Sequence, residues 1–202
     1  MLARGLVKIQ PYDRVMTPSG APPGTIIMPA EIDTRFGDGS LFNRSAYRLE
    51  LLDEYDSPHT RVRVARFLAG QPDDAEVRAY WDRVVGEARR AGKSMQRVHV
   101  ITEPLTDYLL LELAFYRGSV RAGEDIRILP GDLATGLDLP GFDYWLFDDE
   151  RAAVMYYGDR GTWLRTEIVT EPSFVADCCR WRAQALSRAI PLGDYTADGS
   201  AA

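Results

Sequence analysis

Lysine, cysteine and histidine are all scarce in this chain, and each shortage removes a class of chemistry. Two of 202 residues are histidine, too few for a usual zinc set unless carboxylates complete it. The only cysteines, Cys178 and Cys179, are sequence neighbours and poorly placed for an unstrained disulfide. No other cysteine and no nearby histidine completes a metal or redox set around them. They read as reduced thiols, small side chains on an amphipathic helix. Lysine occurs only at Lys8 and Lys93, and the other 22 of the 24 basic residues are arginine, a skew that fits a GC-rich genome better than a chemical role. Long apolar runs are missing too. The longest, Tyr108 to Tyr116, is broken by Glu112, well short of the roughly 18 residues of a membrane span. Arg4 and Lys8 interrupt any apolar segment at the start, so no signal peptide and a cytoplasmic location are expected. There is no glycine-rich phosphate loop, no G-x-S-x-G elbow and no paired histidine on a helix. The net charge of -6 argues against a broad basic face that coats nucleic acid, though not against a local basic patch.

What is present describes an ordinary globular chain. It is 46% hydrophobic and 27% charged, which rules out a disordered protein, and its length suits one domain. Residues 1–40 hold Pro11, Pro18, Pro22, Pro23 and Pro29 with several glycines. Proline excludes long helices there. The stretch reads as an arm lying on the domain or on a partner subunit, with one short strand at Thr25 to Met28. A single α/β domain follows over 41–195, and the small polar tail 196–202 is expected to be disordered.

Within the domain, Phe42 to Leu52 looks helix-like or mixed, and Val62 to Leu68 follows it. Asp73, with Glu76 as capping-box partner, opens a helix whose stripe is Val77, Trp81, Val84 and Ala88. Met95 to Thr102 is apolar on both faces, as in a central strand. A buried helix runs from Glu103-Pro104 to about Arg117. Strands are expected at Asp125 to Leu129, Tyr144 to Phe147, Ala152 to Tyr157 and Trp163 to Val169, the last three forming a meander. A final helix starts at Glu171-Pro172, with Phe174, Cys178, Trp181, Ala185 and Ala189 as its stripe. Trp81 and Trp181 are expected to be mostly buried. The strand, helix, strand order implies a right-handed parallel unit, so the fold class is a mixed β-sheet with packed helices.

The chemistry-bearing residues have bland readings beside sharp ones. His99 sits mid-strand as a packed, hydrogen-bonded side chain, and His59 follows Pro58 in a loop. Glu103, Asp107 and Glu112 frame the buried helix, for capping or for general-acid or magnesium chemistry. Asp148, Asp149 and Glu150 suit a hairpin turn at least as well as a cation site. Arg44, Arg48 and Arg97 are able to hold an anion bidentately, or to pair with Glu50, Glu103 and Glu112. The candidate ligand site is therefore Arg44, Arg48, Arg97, Glu103, Asp107, Tyr108 and Asp148, with Arg97, Glu103 and Asp107 meeting at the carboxyl end of the His99 strand. No metal set and no cofactor is implied.

Several segments carry a resemblance. FNRSAYRLE over 42–50, RVHVITEPLTDY over 97–108, AGEDIR over 122–127, FDYWLFDD over 142–149 and RWRAQALSRAIPL over 180–192 resemble an actinobacterial family, domain of unknown function six-eight-seven-nine. The resemblance spans roughly residues 41–195. It implies no activity, but it implies genes encoded beside helix-turn-helix regulators. A second resemblance, of layout, is to the phospholipase D-like sandwich, some members of which are non-catalytic. Its His-x-Lys-x4-Asp pattern aligned on Asp148 puts Gly141 and Asp143 in the histidine and lysine positions, so the nucleophile and phosphate-binding cation are both missing. These readings favour a non-catalytic regulatory or binding module partnered with a DNA-binding regulator, and a homo-oligomer. A tailoring enzyme of secondary metabolism and a small-molecule sensor are the alternatives. A deep pocket lined by Arg48, Arg97, Glu103 and Tyr108 would favour an enzyme or sensor, and a filled core with a flat apolar patch an interaction module.

Overall fold

Residues 45–50 decide the architecture. Ala46, Arg48 and Glu50 alternate with Tyr47 and Leu49, and all five are buried. The computed structural model describes residues 21–195, and these six form a strand at the centre of its sheet. The helix-like reading of 42–52 is thus corrected. The period of two is present in Tyr47-Arg48-Leu49-Glu50, but arginine and glutamate on one face gave no sign that this face is buried too.

In chain order the elements are β1 (Thr25–Ile27), α1 (Pro29–Gly37), β2 (Ser45–Glu50), α2 (Pro58–Leu68), α3 (Ala75–Arg90), β3 (Ser94–Ile101), α4 (Asp107–Ala122), β4 (Asp125–Pro130), α5 (Gly131–Ala134), β5 (Tyr144–Phe147), β6 (Arg151–Tyr157), β7 (Trp163–Val169), α6 (Pro172–Arg188) and β8 (Ile190–Pro191). One eight-stranded sheet results, in the order β1-β7-β6-β5-β2-β3-β4-β8. β2, β3 and β4 are parallel, and the other pairings are antiparallel. The fold is the mixed α/β sheet with packed helices expected from the sequence.

The crossovers lay α3 and α4 on one face of the sheet, where α1 joins them and α2 packs on α4. The core on this face contains Ile32, Phe36, Val84, Val85, Met95, Trp145 and Phe147, continued by Leu109, Tyr116, Ile126 and Ile128 under α4. The opposite face is covered by α6, whose Phe174, Val175, Cys178 and Ala185 meet Tyr47, Leu49, Val98, Tyr144 and Val154. Trp81 and Trp181 are partly buried, one on each face. Among the described residues no helix is long and apolar enough to cross a membrane.

Local details depart from the sequence reading in instructive ways. The stretch read as an arm lies on the domain from residue 21 onward: β1 pairs with β7, and α1, a helix not foreseen, buries Ile32 and Phe36 one turn apart. Gly24 is needed there, since a Cβ would fall 2.4 Å from the Ile168 carbonyl oxygen. The readings of residues 1–20 and 196–202 lie outside the described residues. Asp74 rather than Asp73 caps α3, accepting from the N–H groups of Glu76 and Val77 at 2.9 and 3.2 Å. α4 starts at Asp107 under a Thr106 cap, 3.1 Å from the Leu109 N–H, with Pro104 in the preceding loop. His59 lies in the first turn of α2 rather than in a loop, and is exposed. The turn between β5 and β6 is Asp148-Asp149, both left-handed at φ 58° and 59°, a conformation that aspartate tolerates.

Candidate functional site

Parallel pairing sets Arg48 of β2 directly beside Arg97 of β3, and Glu50 beside His99. These residues face the α3 and α4 side. Two guanidinium groups on adjacent strands repel unless carboxylates sit between and around them, and here they do. Glu50 bridges the pair, accepting from Arg48 Nε at 3.3 Å and from Arg97 Nη1 at 2.8 Å. Arg48 Nη2 also donates to Asp143 at 3.0 Å and to the Tyr157 hydroxyl at 2.8 Å, while Nη1 meets the Met155 sulfur. Arg97 Nε donates to Glu124 at 2.9 Å, whose other oxygen accepts from the Trp81 indole at 3.0 Å. Asp143 is further held by the Leu51 N–H at 2.9 Å and by the Tyr55 hydroxyl.

His99 extends this network instead of standing apart from it. Its Nε2 lies 3.0 Å from the Leu52 carbonyl oxygen, which only accepts, so Nε2 carries a hydrogen. Its Nδ1 lies 2.9 Å from the Tyr116 hydroxyl, which donates to Glu50 at 2.8 Å. The packed, hydrogen-bonded reading of His99 is the one observed.

Burial acts on every group here, and the neighbours decide the outcome. It would raise the Glu50 carboxyl, but Arg97 and Arg48 overcome it and hold Glu50 well below the usual carboxylate range. At Asp143 burial wins over Arg48 and Tyr55, and the pKa rises. Burial also lifts Tyr55, Tyr116 and Tyr157 above the ordinary phenol value, so each keeps its proton at neutral pH; Tyr55 and Tyr116 donate to Asp143 and Glu50, while Tyr157 accepts from Arg48. Both arginines stay charged because Tyr157, Glu50 and Asp143 around Arg48, and Glu124 and Glu50 around Arg97, outweigh desolvation.

Above this floor opens a cleft of about 950 Å³, walled by α1, α2, α3 and α4. Phe36, Tyr80, Trp81, Trp145 and Trp163 supply aromatic surface; Arg61, Arg160 and Asp56 lie along its rim. At the α4 end stand Glu112 and Arg63. Arg63 grips Asp73 in a bidentate pair at 2.8 and 2.7 Å, leaving Nη1 3.6 Å from a Glu112 oxygen. That is an ion pair too long for a hydrogen bond. Burial pushes the Glu112 carboxyl up to about 7, and Arg63 offsets only part of it. Glu112 is thus a buried cleft carboxyl whose proton is held more tightly than in an open chain.

The seven residues singled out from the sequence separate into different places. Arg48 and Arg97 form the cleft floor. Arg44 and Asp148 lie at the opposite, amino-terminal end of β2. There the Asp148 carboxylate accepts from the N–H groups of Asn43, Arg44 and Ser45 at 2.8, 2.6 and 2.9 Å, contacts that overcome burial and lower its pKa. Arg44 is exposed and pairs with Glu150 at 2.9 Å. Tyr108 is partly buried on α4, its ring 5.7 Å from that of Tyr55. Asp107 and Glu103 are exposed, and Glu103 accepts from the Tyr195 hydroxyl at 3.1 Å. The expected meeting of Arg97 with Glu103 and Asp107 is therefore corrected. β3 carries the chain away from Arg97 as far as Ile101, with Glu103 in the bend beyond it, and the Arg97 side chain turns sideways to Glu50 and Glu124.

Sequence reasoning missed Asp143, Glu124, Arg63, Trp81 and Trp145 as site residues. A signal existed for two of them: Asp143 and Trp145 alternate with the buried Tyr144, as Arg48 and Glu50 alternate with Leu49. Arg63 and Glu124 lie on a helix and in a loop, and nothing in their local spacing marks them.

No curated protein matches the chain. A family match does exist, covers residues 30–197, and begins one residue into α1, so it takes in nearly all of that helix as well as every element that builds the cleft floor. By that match the chain belongs to the family described as Domain of unknown function (DUF6879).

Proposed function

We propose that this domain is a non-catalytic, small-molecule-binding regulatory module that works in the cytoplasm. The observation that carries the reading is the cleft: about 950 Å³, aromatic on its walls and rigidly ionic on its floor. Volumes of roughly 300–1,000 Å³ with apolar lining and few polar groups are typical of ligand sites. A flat interaction module has no use for such a hollow. The output, in this reading, is a helix-turn-helix regulator partner whose association follows ligand occupancy, which rests on the gene neighbourhood implied by the family resemblance.

An enzyme is the second reading, and Glu112 is the observation in its favour. A carboxyl near 7 suits general acid or base work. The other floor carboxylates favour binding, because Glu50, Asp143 and Glu124 are tied to guanidinium groups.

The test is a ¹H–¹⁵N spectrum of the protein against fractions of a small-molecule extract from its source cell. Trp81, Trp145 and Trp163 line the cleft, whereas Trp181 packs on the other face of the sheet. An active fraction should move the first three indole signals and leave Trp181 in place. If no fraction moves them, the ligand-binding reading fails. If the ligand is recovered chemically changed, the enzyme reading replaces it.

A further inference from the structure

We propose that Glu112 and Arg63 form the recognition end of this cleft and take a neutral planar ligand edge carrying an N–H beside a carbonyl, that is, a cyclic amide. The inference rests on the ligand-binding reading of the cleft and names the chemistry it selects.

The argument starts from what is already satisfied. Every nitrogen of Arg48 has an acceptor, and Glu50 is shared between two guanidinium groups. The floor therefore has little to offer a ligand directly. Glu112 differs: its residue is 8% exposed, it lines the cleft, and its one ionic neighbour, Arg63 Nη1, stands 3.6 Å away. Arg63 is equally buried, and its Nε and Nη2 are committed to Asp73. The cleft thus presents an acceptor and a donor side by side, neither hydrogen-bonded to the other.

This adjacency discriminates by charge. A ligand cation that meets Glu112 also meets the Arg63 guanidinium, and a ligand anion drawn to Arg63 also faces the Glu112 carboxyl. Burial makes either clash costly. A cyclic amide satisfies both partners without net charge, its N–H donating to Glu112 and its carbonyl accepting from Arg63 Nη1. The ring body then rests against Trp81 and Val77, which line the same cleft.

The probes are 2-pyridone, N-methyl-2-pyridone, benzoate and benzylamine, titrated one at a time and read on the indole signals of Trp81, Trp145 and Trp163, with Trp181 as the internal control. We expect 2-pyridone to bind at least tenfold more tightly than each of the others. In Glu112→Leu its affinity should fall to that of the N-methylated compound, with an unmoved Trp181 signal reporting an intact fold. The comparison of probes on the native protein needs no variant. Equal binding of 2-pyridone and N-methyl-2-pyridone would show that no N–H is read, and would overturn the proposal. Preference for benzoate or benzylamine would overturn it too while leaving the cleft as a ligand site. Silence from all four probes would refute this chemistry, whereas the wider binding reading is decided by the extract experiment.

Discussion

Glu112→Gln should make the protein more stable at pH 8 and change it much less at pH 5. The carboxyl sits at 4.5 in an open chain and at about 7 in the fold, because burial on α4 penalises its charge more than the distant Arg63 repays. Between those values the native state binds more protons than the unfolded state, so stability falls as pH rises through this window and levels off above it. One pKa unit corresponds to roughly 1.4 kcal/mol, so the full window amounts to about 3 kcal/mol. Glutamine keeps the shape and cannot ionise. The assay is urea unfolding of both proteins at pH 5, 6, 7 and 8, followed by tryptophan fluorescence and extrapolated to water. Other groups titrate alike in the two proteins and cancel in the difference. That difference should grow by about 2–3 kcal/mol in favour of the variant from pH 5 to 8. Parallel curves would refute the reasoning, and would mean that water or a counter-charge relieves Glu112.

Three further outcomes follow from the same geometry. Arg97→Met takes from Glu124 its guanidinium partner and leaves Glu50 with Arg48 alone, and should cost about 3–5 kcal/mol in denaturant unfolding; a loss under about 1 kcal/mol would mean that the site is wetter than its burial implies. Asp148→Ala removes the acceptor of three backbone N–H groups and puts alanine at φ 58°, so unfolding should become easier by at least about 2 kcal/mol, while Asp148→Asn, which keeps one acceptor oxygen, should lose less. The purified protein should show no phosphodiesterase turnover on aryl, lipid or nucleic-acid substrates, since Gly141 offers no nucleophile and Asp143 is bound to Arg48; turnover abolished by His99→Ala would overturn that.

The sheet was largely legible because most of its strands announce themselves by apolar alternation or by turns. Tyr144 to Phe147, the Asp148-Asp149 turn and the Trp163 strand stand within a residue or two of where the pattern puts them. β2 was not legible, and the cause is physical. Tyr47 and Leu49 alternate with Arg48 and Glu50, but such alternation implies one solvated face, and here the charged face is buried as well. The helix caps failed by one position at Asp73, because two adjacent aspartates compete for the role and only tertiary pairing with Arg63 decides between them. The site was half legible. Arg48 and Arg97, singled out from the sequence, both line the cleft, yet spacing along one strand could not reveal that they become neighbours across two. Glu103 looked like Arg97's partner because it is near in sequence, whereas Glu50 and Glu124 are 47 and 27 residues away.

The buried ionic floor also bears on how selectivity arises here. Ion pairs of this kind add little to stability over well-packed apolar side chains, since desolvation consumes most of their Coulombic gain. What they do is fix positions. Glu50 ties β2 to β3 through two guanidinium groups, Tyr116 brings α4 onto Glu50, and Trp81 brings α3 onto Glu124. Two of the four helices that wall the cleft, α3 and α4, are therefore anchored to the same small set of charges. A ligand that displaced any member would leave another buried charge unpaired, so the floor resists entry and the cleft keeps its shape when empty. In the proposed ligand-binding reading, binding energy then comes from the aromatic walls, while Arg63 and Glu112 supply a buried donor and acceptor not hydrogen-bonded to each other.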